Sequence, residues 1–244
     1  MDDARRYAAE FLGTLLLVFF GVGSAVAARV QGGVVVVGLA FAFIVLALVY
    51  AFGPLSGCHI NPAVTMGVLL SRKISPVGAV AYWIAQFAGA AVGGFLLWAL
   101  TRWGGVVDQT GALGTTGYGA NISRGGAMLL ETMLTFMFVL VVLVVTSRPE
   151  HAGFAGLAIG IALGAAILLG TTLDGASLNP ARSFGPAIFE GGAALRQLWL
   201  FIVFPLLGGA LAALVAPLVL QRNPRYRGGP EQPPPRPGPG QSPA

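Results

Sequence analysis

Asn61-Pro62-Ala63 and Asn179-Pro180-Ala181 are the same triplet written twice, 118 residues apart, and each copy stands between apolar segments. The surroundings repeat at that offset. Gly38-Leu39-Ala40 lies 23 residues before the first Asn and Gly156-Leu157-Ala158 lies 23 before the second; Gly57 and Gly175 each stand four before it. A single Asn-Pro is an ordinary helix start, because Asn caps well and Pro at the first helical position lacks only an N–H that would have no partner there. Two copies at matched places in a hydrophobic duplication imply the two halves of one pore.

Composition narrows the class. Hydrophobic residues make up 56% of the 244 and charged residues 9%, where a soluble domain carries roughly 25% charged. The mean hydropathy is +0.80. Fourteen Lys and Arg against nine Asp and Glu give +5, but the surplus falls on loops and tails. No segment offers the basic face that nucleic acid binding needs. Cys58 is the single cysteine, so no intrachain disulfide or cysteine metal cluster can form. His59 and His151 are the two histidines, too few for a zinc or haem site, and no cofactor is expected. The first apolar segment is long enough to span a bilayer and lacks a small-residue cleavage site, so no cleavable leader is expected.

A hydrocarbon core of about 30 Å takes roughly 20 residues of helix. Segments 7–28, 34–53, 77–100, 126–146, 153–171 and 196–220 meet that length. Two further apolar stretches, 61–70 and 179–188, are half as long, about 15 Å at ~1.5 Å per residue. Each opens on Asn-Pro after a glycine-containing loop, which predicts a re-entrant half-helix. Non-helical backbone at that depth is tolerated only against protein or a water-filled cavity. The expected fold is therefore an all-α membrane protein with six transmembrane helices and two re-entrant half-helices. It divides into a first repeat, 1–113, and a second, 114–221, followed by a Pro-rich disordered tail, 222–244.

Three spans per repeat force the second copy to be inverted. Charge agrees with a cytoplasmic N-terminus. Arg5, Arg6, Arg72, Lys73, Arg148 and the tail arginines 222, 225, 227 and 236 fall inside; Arg29, Arg102, Arg124 and Arg196 fall outside. Nine against four is a positive-inside bias and places both termini in the cytoplasm of a multi-pass cell-membrane protein.

At mid-membrane each Asn oxygen caps its own helix, leaving the amide NH₂ of Asn61 and Asn179 as donors into the lumen. They meet where two positive helix ends converge. A water there turns its oxygen toward the Asn pair, which interrupts the chain along which a proton could hop, and the helix ends repel cations. The expected result is passage of neutral molecules with protons and ions excluded. A coupled transporter would also use inverted repeats and broken helices. Coupling, however, needs an ionisable group near the midplane, and Arg182 is the only charged lumen candidate.

Ser56-Gly57-Cys58-His59-Ile60-Asn61-Pro62-Ala63-Val64-Thr65 and Gly175-Ala176-Ser177-Leu178-Asn179-Pro180-Ala181-Arg182-Ser183-Phe184-Gly185-Pro186 resemble the two signature loops of the aquaporin, or major intrinsic protein, family. The resemblance covers about residues 5–220. It implies a homotetramer with one pore per subunit, embedded in the lipid bilayer, passing water or small neutral solutes passively and without enzymatic activity. Glu10 and Glu131 match the family's paired buried glutamates, which accept N–H groups from the unwound loops. Loop carbonyls of Gly57, Cys58, His59, Gly175 and Ser177 are expected to line the pore.

The family's narrow filter carries over to four positions. Arg182 stands three after Asn179, Phe41 twenty before Asn61, Ala176 three before Asn179 and Ile167 twelve before it. Ile167 falls where strict water channels of the family carry His. It removes one hydrogen-bond site, worth roughly 1 kcal/mol net, while Ala176 adds space. Glycerol facilitators of the family usually have Asp after the filter arginine and two bulky aromatics in the filter; here the residue is Ser183 and the aromatic is Phe41 alone. The set resembles the mixed filters of some archaeal and other microbial members. The expected function is a water channel with permeability to some small neutral solutes. The alternative is a facilitator mainly for glycerol, ammonia, hydrogen peroxide, dissolved gas or neutral metalloid acids. Gly156, Gly160 and Gly164, like Gly89 and Gly93, read as helix-packing positions.

Overall fold

A computed structural model describes residues 3–28, 33–148 and 153–220. The tail 222–244 and Arg29, which entered the charge argument, lie outside them. Among the described residues the helical rods are α1 (Asp3–Ala27), α2 (Gly33–Ser56), α3 (Pro62–Leu70), α4 (Pro76–Arg102), α5 (Arg124–Val145), α6 (Ala155–Gly170), α7 (Pro180–Glu190) and α8 (Gly192–Leu220). Long, long, short, long occurs twice. Five rods are long and apolar enough to cross a membrane. The sixth, expected over 153–171, is 16 residues, about 24 Å of helix; the chain leaves it at Thr171 to begin the second loop.

Starts are set by caps. Asn61 accepts from Ala63 N and Asn179 from Ala181 N, each with Pro at the first helical position. Ser75 and Ser123 cap α4 and α5 by accepting from Gly78 N and Gly126 N. α1 is not uniform: Leu17–Val22 is a π-helical stretch. Such turns favour functional sites, and here Gly21 leaves room for the Phe41 ring, which lies where its Cβ would be.

The packing is two-fold. α1 lies on α4 as α5 lies on α8, α3 lies on α8 as α7 lies on α4, and α2 meets α6 across the axis. Close approach explains the small residues. A methyl added at Gly89 would overlap the Phe11 carbonyl, and one at Gly208 would overlap the Thr132 carbonyl. In a bilayer there is no hydrophobic drive between helices, so such backbone contact is what holds them. Outward faces are apolar: Val77, Ile84, Leu129, Ile161, Leu214 and Leu218 are all exposed. The polar residues are inside, among them buried Glu10, Gln86, Glu131, Asn61, Asn179 and Arg182. That inversion of the soluble pattern suits a lipid surround.

Candidate functional site

Two loops descend to the centre. Their backbone is left-handed at Gly57 (φ 83°), Cys58 (50°) and Ile60 (44°), and again at Gly175 (90°), Ala176 (48°) and Leu178 (52°). Non-glycine residues in that region cost about 1–3 kcal/mol each, and β-branched Ile60 is the least suited. Such a path also leaves N–H groups without helical partners. Two fully buried carboxyls supply them. His59 N and Ile60 N donate to Glu10 at 2.9 and 2.6 Å, and Ser177 N and Leu178 N donate to Glu131 at 2.6 and 2.9 Å. Glu10 accepts two more hydrogen bonds, from Ser56 Oγ and Gln86 Nε2, both at 2.7 Å.

The loops meet at the two Asn caps. Asn61 Oδ1 accepts from Ala63 N at 2.8 Å; Asn179 Oδ1 accepts from Ala181 N at 3.0 Å and Arg182 N at 3.2 Å. The sequence implies that both NH₂ groups are free for the lumen, and the structure corrects this. Asn61 Nδ2 donates to the Leu178 carbonyl and Asn179 Nδ2 to the Ile60 carbonyl, each at 2.9 Å. Each amide has two hydrogens, so one ties the opposite loop and one remains for a permeant. The reason is depth. A loop carbonyl at mid-membrane has no helical partner, and an unmet one is costly.

Between the loops runs a narrow cavity of about 50 Å³, lined by Gly57, Cys58, His59, Ile60, Asn61, Ser177, Asn179 and Arg182 on one side. Leu17, Phe41, Val45, Phe138, Leu163 and Ile167 are among the apolar residues that line the rest. That volume holds a short file of waters and no bulk phase. Two larger cavities share lining residues with it. Gly57 and His59 also line a mouth of about 500 Å³ on the face of Asp3 and Lys73. Arg182 also lines a mouth of about 530 Å³ on the opposite face, with Asp174 and Gly175.

At that second boundary the guanidinium of Arg182 is held by two carbonyls. Nη1 donates to Gly114 O at 3.1 Å and Nη2 to Gly175 O at 3.0 Å, and Cζ lies 5.6 Å from the Phe41 ring centroid. Arg182, Phe41 and Ile167 thus all line the one narrow cavity. Ala176 is fully buried and its methyl packs toward Gly170, outside the lining of either cavity. The Gly175 carbonyl accepts from Arg182, which takes up part of its capacity toward the lumen. His59 sits at the other boundary, its Nδ1 3.1 Å from Thr65 Oγ1 and its ring edge-on to Tyr82 at 5.0 Å. Among the described residues no cluster of three His, Cys, Asp or Glu could hold a metal.

The Major intrinsic protein family model matches residues 1–216. The chain belongs to the major intrinsic protein family. It is similar to the Glycerol uptake facilitator protein-like 6 of Lactiplantibacillus plantarum, 45% identical over 87% of this chain and 96% of that one. It is also similar to Aquaporin Z of Bradyrhizobium diazoefficiens, 42% identical over 87% and 92%. The X-ray structure of the aquaglyceroporin from Plasmodium falciparum superposes with a TM-score of 0.77 at 26% identity, over 89% of this chain and 99% of that one. As a member of the major intrinsic protein family, this chain is a multi-pass membrane channel for water or small solutes and not an enzyme.

Several residues of the site have no sequence signal of their own. Ser56 and Gln86 reach Glu10 from α2 and α4. The segment between α4 and α5 folds over the second mouth, where Gly114 holds Arg182 and Thr116 Oγ1 donates to Ser183 Oγ at 3.0 Å. Ser183 Oγ then donates to Ser177 Oγ at 2.7 Å. The length of that connection, 21 residues between Arg102 and Arg124, was the available hint, since long ordered loops are usually functional.

Proposed function

We propose that this channel conducts water, excludes protons and ions, and admits some small neutral solutes. The observation that carries the reading is the pair of Asn caps inside the 50 Å³ cavity. Each keeps one amide hydrogen for the permeant, and each stands at the N-terminus of a half-helix. Two positive helix ends face one point, so an oxygen is drawn there and a cation is repelled. A water donating outward on both sides cannot relay a proton through that point.

The filter reading keeps Phe41, Ile167 and Arg182 at the constriction, with Ala176 behind it, its methyl toward Gly170. Arg182 lines the cavity, and its fixed positive charge stands beside the Phe41 ring. Ile167 makes the facing wall apolar, which lowers the penalty for less polar solutes. The second reading, a facilitator mainly for glycerol or another small neutral solute, is favoured by that apolar wall and by the likeness to a glycerol uptake facilitator-like protein. The repeats divide at 113 and 114, Glu10 and Glu131 support the loops, both termini are cytoplasmic, and the chain assembles as a homotetramer in the cell membrane. The exposed apolar faces of α1, α2, α5 and α6 support a lipid or subunit surround.

Purified protein in liposomes is expected to speed osmotic shrinkage, with a low activation energy and no proton leak. Shrinkage no faster than that of empty liposomes, with insertion verified, would reject the channel reading for water. Parallel gradients of glycerol and ammonium distinguish the two readings.

A further inference from the structure

At the 118-residue offset Ser56 corresponds to Asp174. Both satisfy the backbone in the same way, since Ser56 Oγ accepts from Cys58 N and Asp174 Oδ1 accepts from Ala176 N, each at 3.0 Å. They differ in what they offer the neighbouring glutamate. Ser56 Oγ carries a hydrogen and donates it to Glu10 at 2.7 Å. An ionised Asp174 has none to give. Yet it holds the matching place beside Glu131, since Asp174 accepts from Ala176 N while Glu131 accepts from the next two loop residues, Ser177 and Leu178, and its Oδ2 is buried with no donor among the described residues. Glu131 is also the poorer supplied of the two glutamates. Both glutamates accept two loop N–H groups, but Glu10 has Gln86 as well, and Phe204 stands at the position matching Gln86.

Two buried carboxyls side by side, both ionised and with no donor between them, repel each other at low dielectric; a shared proton removes the repulsion. We propose that Asp174 is a positioning residue for the filter arginine: a proton held between Asp174 and Glu131 replaces the Ser56 hydroxyl hydrogen and fixes the loop that anchors Arg182. The anchor is one residue away, since Arg182 Nη2 donates to the Gly175 carbonyl. The charged groups facing Asp174 are Glu131 from α5 and Arg182 from α7. The loop between α4 and α5 reaches it through Gly117 N, which donates to the Asp174 carbonyl at 2.9 Å. Tyr118 and Glu190 line the same mouth, through which solvent protons reach the pair. Rising pH removes the shared proton, the carboxylates separate, Gly175 shifts, and Arg182 loses one of its two carbonyl anchors. The filter then admits bulkier neutral solutes.

This inference rests on the channel reading above, and the experiment separates the two. Glycerol and water permeabilities are measured in proteoliposomes buffered alike inside and out, for wild type, Asp174→Asn and Asp174→Ser. The glycerol-to-water ratio of the wild type is expected to rise by about two-fold or more between about pH 5 and pH 8. Both variants are expected to be flat, because each carries a donor that does not titrate there. Infrared spectra of purified protein give a readout independent of flux. At about pH 6, where exposed carboxyls are ionised, the wild type should show a protonated-carboxyl band that is lost at higher pH and absent from Asp174→Asn. A conducting wild type with a pH-independent ratio overturns the proposal, as does a variant that titrates like wild type or an Asp174→Asn spectrum that keeps the band. If nothing conducts, the channel reading fails and the infrared band alone decides the shared proton.

Discussion

Replacing Arg182 with Val tests the constriction most directly. The guanidinium lies 5.6 Å from the Phe41 ring centroid, so an ion crossing between the narrow cavity and the second mouth comes within about 5 Å of a fixed positive charge. At an effective dielectric near 20, two unit charges at that distance repel by about 3 kcal/mol. That corresponds to roughly 100- to 300-fold in rate. Arg182→Val removes this barrier but leaves two half-helix ends carrying about half a charge each. Proton or cation leak is therefore expected to rise by about two orders of magnitude and to stay far below that of an open cation pore. Glycerol passage should rise too, because Val is shorter and its donors are gone. The Gly114 and Gly175 carbonyls lose their donors, but both residues line a wide mouth where water can replace the guanidinium. The loss of stability is then about 1 kcal/mol per carbonyl, at the lower end of the range for an unmet group. The assay is a pH-sensitive dye inside proteoliposomes under an imposed potential, with light scattering for glycerol on the same preparation. A folded Arg182→Val protein as tight to protons and glycerol as wild type would place the arginine outside the permeation path and refute the argument.

Ile167→His puts a polar group on the apolar lining of the narrow cavity; on the proposed filter the glycerol-to-water permeability ratio should fall, and an unchanged ratio would remove Ile167 from the constriction. Cys58 lines the 50 Å³ cavity and is buried, so mercuric chloride should lower osmotic flux slowly. Thiol should restore that flux, and Cys58→Ser should resist the reagent. Full flux despite stoichiometric labelling of Cys58 would show the sulfur clear of the path.

The repeated Asn-Pro-Ala, the spacing of glycines around it and the length of the apolar runs determined the fold. They could do so because a bilayer admits so few solutions: backbone polar groups must be satisfied within the protein, which leaves helices and protein-lined half-helices. The N-caps followed from the triplet itself, since an Asn before a helix-starting Pro has one local role. Arg182 and Phe41 were legible by resemblance, and the structure brings them together. What the chain could not display were partners from distant segments. Gln86 is an ordinary polar residue in an apolar helix until α4 packs on α1 and sets it 2.7 Å from Glu10. Gly114 is one glycine among 36 until its carbonyl meets Arg182. The crossed amides of Asn61 and Asn179 belong to neither repeat alone, because each donor reaches a carbonyl more than a hundred residues away. Sequence thus determined which groups are buried at mid-membrane, since composition and periodicity fix depth. Only the tertiary structure decided which buried donor meets which buried acceptor, because in a medium without water that pairing is settled by three-dimensional proximity.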